Sequence, residues 1–236
     1  MDLLEKKTKD QFDKIYNAKK NIEYSFNPKA LSKKDRKIIS TLNQFGISGN
    51  KCLDIGIGTG RWLQFLKANN PSFLGAIDIS QEALRRSDKI YDKSQKANLE
   101  HEKFDYPTDY FDIVISIEVM DHLREPDNYL SEIIRVTKNS GLILIALTNF
   151  TSFTSRVRMF FGLLPMAMVL DETHYSFYRK KDIKRILNEY GQKPQFIPTS
   201  FSLNPKNHKT FRVPTNQFTS FLDDSLLFQV RVNNNI

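Results

Sequence analysis

The 236-residue sequence predicts an α/β protein, a mostly parallel sheet with helices on both faces. Three observations carry this. Several short runs are apolar along their whole length, as strands buried on both sides must be. Those runs alternate with segments of helical spacing, the pattern of βαβ units. Two of the runs end in an acid or a glycine cluster, where open α/β sheets bind ligands.

The elements follow in order. Residues 1–26 are charged, with Leu4, Phe12, Ile15 and Tyr16 on one prospective helix face. Asn27-Pro28 breaks that pattern. Ser32 is placed to cap a helix with Asp35 in its first turn, Ile38, Ile39, Leu42 and Phe45 on one face, and Gly46 at its end. Lys51–Ile55 is the first strand, and Arg61–Lys67 the helix after it. Phe73–Ile79 is the second strand, with Ser80 capping the next helix. A third strand is expected at Leu99–Phe104 and a fourth at Phe111–Glu118. Pro126 opens a helix carrying Tyr129, Leu130, Ile133 and Val136. Gly141–Leu147 is the fifth strand. Residues 150–178 have no strand pattern. Lys180–Tyr190 is a basic amphipathic helix stopped at Gly191, Pro194–Phe201 a sixth strand, 202–224 loop, and Leu226–Val232 the last strand.

Composition bounds the function. Cys52 is the only cysteine, so an intrachain disulfide is excluded, which suits a reducing compartment. No apolar run reaches the roughly 18–20 residues of a spanning helix, and Met1 precedes a charged segment without a signal-peptide core. A cytoplasmic protein is expected. The net charge is +8. Residues 1–37 hold 11 Lys/Arg against 6 Asp/Glu, so much of the excess lies outside the strand pattern. Base-reading modules with interleaved basic and aromatic residues are missing, and nucleic acid is not expected as the principal partner.

The chemistry begins at Asp54-Ile55-Gly56-Ile57-Gly58-Thr59-Gly60. Glycines at alternate positions allow left-handed backbone and a close ligand approach, and the helix that follows presents N–H groups to an anion. A dinucleotide fingerprint needs Gly or Ala where Arg61 stands. A phosphate-binding P-loop needs a Lys-Ser/Thr pair that does not follow. The stretch resembles instead the first motif of class I S-adenosylmethionine-dependent methyltransferases. Three further stretches extend the resemblance over roughly residues 50–150. Phe104 to Asp112 is similar to that family's L-P-F-P-D-x-S-F-D. Ser116-Ile117-Glu118-Val119-Met120-Asp121-His122-Leu123 is similar to S-N-E-V-L-E-H-V. Glu132 to Gly141 is similar to E-I-x-R-V-L-K-P-G-G, with Asn139-Ser140 in place of Pro-Gly.

The resemblance implies a Rossmann-like, doubly wound, seven-stranded sheet with a reversed edge strand, and S-adenosylmethionine as cofactor. It implies a single domain over 1–236: a helical segment 1–46, a cofactor-binding core 47–150, a lid insertion 151–178, and a C-terminal helix and strands 179–236. Asp54, Gly56, Gly58 and Gly60 form the cofactor loop. Asp78, with Ile79, faces the ribose diol. Glu100, where the family has an aspartate, and the His101 backbone face the adenine. Glu118 faces the cleft near the methionine end. His122 and His174 are the candidate general bases. No metal ligand set is expected. The acceptor is expected to be a hydroxyl, less favourably an amine, of a small metabolite. An RNA-directed methyltransferase, an NAD(P)-binding protein and a non-catalytic relative are the alternatives. Apolar residues in 151–178, Met166 among them, also suit a weak contact with a membrane surface.

Overall fold

The computed structural model describes residues 26–165, 168–169, 173–202, 212–214 and 223–233. The expected face of Leu4, Phe12, Ile15 and Tyr16, and Met166, lie outside these residues.

Seven strands form one sheet: β1 (Lys51–Ile55), β2 (Phe73–Asp78), β3 (Lys93–Lys96), β4 (Phe111–Ile117), β5 (Thr137–Thr148), β6 (Gln195–Ile197) and β9 (Ser225–Arg231). Their order is β3-β2-β1-β4-β5-β9-β6. The pairs β1–β2, β1–β4, β2–β3 and β4–β5 are parallel. β9 runs antiparallel to both β5 and β6. The reversed strand is thus β9, at the end of the sheet and one place in from β6. β7 (Ser200–Ser202) and β8 (Arg212–Pro214) make a separate antiparallel pair, so residues 202–224 are not wholly loop.

The helices are α1 (Lys33–Phe45), α2 (Arg61–Ala68), α3 (Gln81–Arg86), α4 (Asp127–Val136), α5 (Phe153–Phe160) and α6 (Lys180–Glu189). Ser32 caps α1 in a full capping box with Asp35, and Ser80 caps α3. Alternation along each strand feeds two apolar layers. Leu142, Leu144 and Ala146 of β5 join Ile38, Leu42, Leu63 and Leu66 of α1 and α2. Ile143, Ile145 and Leu147 join Tyr129, Ile133, Ile183 and Leu187 of α4 and α6. Both faces are covered, and so the strands are apolar throughout.

The third strand departs from expectation. It is Lys93–Lys96, polar and half-exposed at the sheet edge, where a one-sided strand has no need of an apolar run. Leu99 and Phe104 are buried, but they anchor a turn. The Asn98 carbonyl accepts from His101 N at 3.3 Å and Glu102 N at 2.9 Å, and Phe104 N donates to Glu132 Oε2 at 2.7 Å. Burial of the ends of 99–104 produced a strand-like sequence without a strand.

β1 lies between β2 and β4, with the chain crossing over to opposite sides from it. That is the topological switch point, and its carboxyl edge opens into a cleft.

Candidate cofactor and methyl-acceptor site

The cleft has a volume of about 450 Å³, within the roughly 300–1,000 Å³ range of small-ligand sites. Gly56, Gly58, Asp78, Ile79, Glu100, Glu118 and His122 all line it. His101 is exposed and does not. His174 and Asp54 lie just behind the wall.

The glycine loop is latched to the second strand. Gly58 N donates to Asp78 Oδ2 at 3.0 Å, and Ser80 N donates to Asp78 Oδ1 at 2.8 Å. These bonds fix the carboxylate at the mouth of the cleft. Gly56 has φ 68°, and a Cβ there would lie 2.3 Å from Val119 Cγ2. Gly60 has φ 73°, and its Cβ would lie 2.6 Å from Ser87 Oγ. Both positions therefore require glycine on conformational and steric grounds.

Asp54 is fully enclosed beneath the loop, and its Oδ2 meets no hydrogen-bond donor among the described residues. Burial, reinforced by the nearby Asp78 charge, pushes its pKa well above 3.8 against a bond from the Leu63 N–H. An unsatisfied buried oxygen so placed, beneath the glycine loop, fits a cofactor carrying a hydrogen-bond-donating group.

Glu118 follows β4 in a left-handed conformation, φ 58°, a strained state for a side chain with a Cβ. Its N–H is tied to the Ala146 carbonyl at 2.8 Å. The carboxylate pairs with Lys34 Nζ and accepts from Thr148 Oγ1 at 3.2 Å. Glu100 is drawn elsewhere: its Oε1 accepts from Arg124 N at 2.6 Å and Glu125 N at 3.0 Å. It lines the cleft while bracing the loop before α4.

The two histidines meet at the far rim. Their rings stack at 4.7 Å and 15°. His122 Nδ1 lies 3.0 Å from the Thr173 carbonyl and 2.9 Å from Thr173 Oγ1. A carbonyl only accepts, so Nδ1 carries the hydrogen and Nε2 is the basic nitrogen of the neutral ring. His174 Nε2 lies 3.4 Å from Asp121 Oδ2. Asp121 is almost wholly buried. Burial alone would raise its pKa, but His174, His122 and the Thr148 N–H outweigh it and leave the pKa below 3.8. A charged carboxylate thus backs the stacked pair. Asp121, His122 and His174 offer ligand atoms within 4.8 Å of one another, but nearly parallel rings aim their lone pairs side by side rather than at one metal centre.

Some cleft residues were not singled out from the sequence. Lys34 and Asp35 reach it from the start of α1. Asp35 Oδ2 accepts from Arg61 Nη2 at 2.7 Å. Burial pulls the Asp35 pKa up, and bonds from Arg61 and Ser32 bring it below 3.8. Asp35 was legible only as a first-turn acid, and Arg61 only as the residue that breaks a dinucleotide fingerprint. Asn98 and Thr173 also line the cleft; no sequence motif marks Asn98, whereas Thr173 opens the Thr173–Phe177 stretch that is similar to a segment lining the acceptor site in relatives.

A parallel sheet with a reversed strand near its end, a glycine loop after β1 and an acid after β2 define the class I S-adenosylmethionine-dependent methyltransferases. The family model described as "Methyltransferase domain" matches residues 30–194. The chain belongs to that family, and S-adenosylmethionine is its cofactor. Among curated proteins, it is similar to a phosphatidylethanolamine N-methyltransferase of Cereibacter sphaeroides, 28% identical over 103 residues. That match covers 41% of this chain and spans half the length of the relative. Among solved structures, a methyltransferase of Haloferax volcanii in complex with the Trm112 methyltransferase activator superimposes with a TM-score of 0.66 at 15% identity, covering 97% of this chain and 99% of that one. A SAM-dependent methyltransferase of Thermotoga maritima gives 0.65 at 14%, covering 96% and 100%. The magnesium protoporphyrin IX methyltransferase of Synechocystis, with SAH bound, gives 0.56 at 13%, covering 93% and 85%. At such identities these structures share the fold. The NAD(P)-binding and non-catalytic alternatives give way to an S-adenosylmethionine-dependent enzyme.

Proposed function

We propose that the enzyme methylates a hydroxyl group of a small metabolite, with the His122–His174 pair taking the acceptor's proton. The observation that carries this reading is the stacked pair, backed by the buried Asp121 carboxylate at the rim of the cleft. The cofactor supplies an electrophilic methyl group. The chain's own residues do the rest. Asp78 accepts from the ribose diol, and Asp54 with the glycine loop holds the amino-acid end. Asn98, Leu99 and Glu100 border the adenine. Glu118 fixes the floor through Lys34 and Thr148. His122 Nε2 takes the hydroxyl proton, and the positive charge that results lies near the buried Asp121 carboxylate. Thr173 contributes to the acceptor-side wall; part of the lid expected at 151–178 lies outside the described residues. Holding the hydroxyl in line with the methyl group supplies much of the rate, since orientation alone contributes ~7–11 kcal/mol.

A second reading is an amine acceptor, favoured by the similarity to a phosphatidylethanolamine N-methyltransferase. A panel of hydroxyl and amine compounds, assayed for S-adenosylhomocysteine release, separates the two. For the hydroxyl reading, His122→Gln lowers kcat by roughly 10²–10⁴-fold and removes the acid limb of the pH–rate profile. Full kcat with an unchanged acid limb in both His122→Gln and His174→Gln removes the base assignment. Unchanged S-adenosylhomocysteine affinity in those variants shows that the cofactor site is intact.

A further inference from the structure

We propose that α5 and the turn after it form an anchor that docks on a bilayer surface bearing anionic phospholipid. The polarity of this helix is inverted. Its buried residue is Ser155, whose Oγ accepts from the buried Ser152 Oγ at 2.9 Å. Thr154 Oγ1 donates to Asp224 Oδ1 at 3.0 Å, so hydroxyl groups face the protein. The apolar residues face outward instead. Phe160 is 85% exposed, Phe161 70% and Leu164 60% among the described residues. An amphipathic helix in water does the opposite. A contiguous outward apolar face of this kind marks an interaction surface.

Charge selects the occupant. α5 and the turn after it, residues 153–165, contain Arg156 and Arg158 and no acid, while Asp171 and Glu172 follow in the sequence and Asp224 accepts from Thr154 on the side facing the protein. Arg158 Nε donates to the Leu164 carbonyl at 2.7 Å, which folds the turn back on the helix. A two-fold contact through α5 sets the same helix against itself, arginines near arginines, with no acid on the helix to answer them. An anionic lipid surface pairs both guanidinium groups and takes up the aromatic rings. No described helix is long and apolar enough to cross a membrane, so the contact is interfacial.

A separate aromatic chain runs near the cleft: Phe177 packs on Phe150 at 4.2 Å, and Phe150, three residues before α5, meets the His174 ring edge-on at 5.8 Å. Binding to vesicles does not depend on which atom is methylated, so it can fail or succeed separately from the catalytic reading.

The test is flotation of the full chain with phosphatidylcholine vesicles, with and without phosphatidylglycerol. The wild type floats with the anionic vesicles. Phe160→Ser with Phe161→Ser weakens partitioning by roughly tenfold or more, because two inserted rings are lost. Arg156→Glu weakens it by about fivefold for each unit of charge changed. These side chains are exposed, and unchanged far-ultraviolet dichroism and S-adenosylhomocysteine affinity confirm that the variants fold. No flotation of the wild type overturns the proposal. So does flotation equal in the wild type and the double-serine variant, which assigns the binding to general charge. A wild-type dimer that the serine substitutions dissociate, without flotation, assigns the face to a second copy and overturns the proposal as well.

Discussion

Gly56 allows the close contact between the cofactor loop and β4 to be tested with a magnitude. Gly56→Ala places a Cβ 2.3 Å from Val119 Cγ2, in a backbone with φ 68°. Ordinary carbon contacts are ~3.5–4.0 Å, so loop or valine must retreat by more than about 1 Å. Left-handed backbone costs an L-residue ~1–2 kcal/mol, and overpacking a buried site typically costs ~1–3 kcal/mol. The expected loss for Gly56→Ala is their sum, about 2–5 kcal/mol. Val119→Ala alone costs roughly 1–3 kcal/mol, because its side chain is buried. In the double variant the methyl groups that collide are gone, and only Val119 Cβ remains, at 3.4 Å. The double variant is therefore more stable than additivity predicts by about 1–3 kcal/mol. Urea unfolding with a constant m-value measures this. Calorimetry with S-adenosylhomocysteine should show weakened binding in Gly56→Ala and partial recovery in the double variant. Additive stabilities would mean that the clash is relieved elsewhere and that Val119 does not set the loop's position.

Two other outcomes follow from charge and backbone. Asp54 has a pKa raised on folding from 3.8, so its native state holds a proton more tightly than the unfolded chain does. Stability is then lost as pH rises above 3.8 toward the native value. Asp54→Asn should be more stable than the wild type at pH 7 without cofactor, the gain shrinking toward pH 4; equal thermal midpoints at pH 7 would refute the burial argument. Ser140, where the family has glycine, sits at φ 62° and is exposed. Ser140→Gly should stabilise by about 1 kcal/mol in chemical denaturation, and no gain would mean that the strand entry relaxes around serine at no cost.

How much of this was legible in the sequence differs by layer. The buried runs of β1, β2, β4 and β9 were read to within a residue or two, because burial forces an apolar run, whereas β5 begins four residues earlier, at Thr137, in a polar lead-in that no apolar run marks. Lys93–Lys96 was missed because an edge strand is under no such demand. Caps were read well, since Ser32 and Ser80 each act within three residues of themselves. The motifs that revealed the family are in part structural pins. Asp112 accepts from Lys51 N at 2.9 Å and Lys138 Nζ at 2.7 Å, tying the starts of β1, β4 and β5 together. Arg135 donates to the carbonyls of Phe104 at 3.0 Å and Tyr106 at 2.9 Å. They hold strand starts and the turn before β4 in place, and they identify the fold better than they identify the chemistry.

The site is legible where one strand end supplies it and obscure where distant segments converge. Asp54, the glycines and Asp78 each stand at the end of an apolar run, so position alone assigned them. The acceptor side has no such marker. Asp121 became a partner of His174 only because the chain from Thr173 to Ser176 folds back on it: Tyr175 N and Ser176 N donate to the Asp121 carbonyl at 3.0 and 3.1 Å. That return brings Thr173 onto His122 and His174 onto the same carboxylate. The strained Glu118 adds a second reason for the geometry. A left-handed residue directly after β4 turns the chain sharply, and the turn carries Val119 against Gly56 and His122 toward the cleft. The strain at Glu118 is therefore tied to the approach of the cofactor loop to the histidine pair. It links the half of the site that sequence reveals to the half that only the fold assembles.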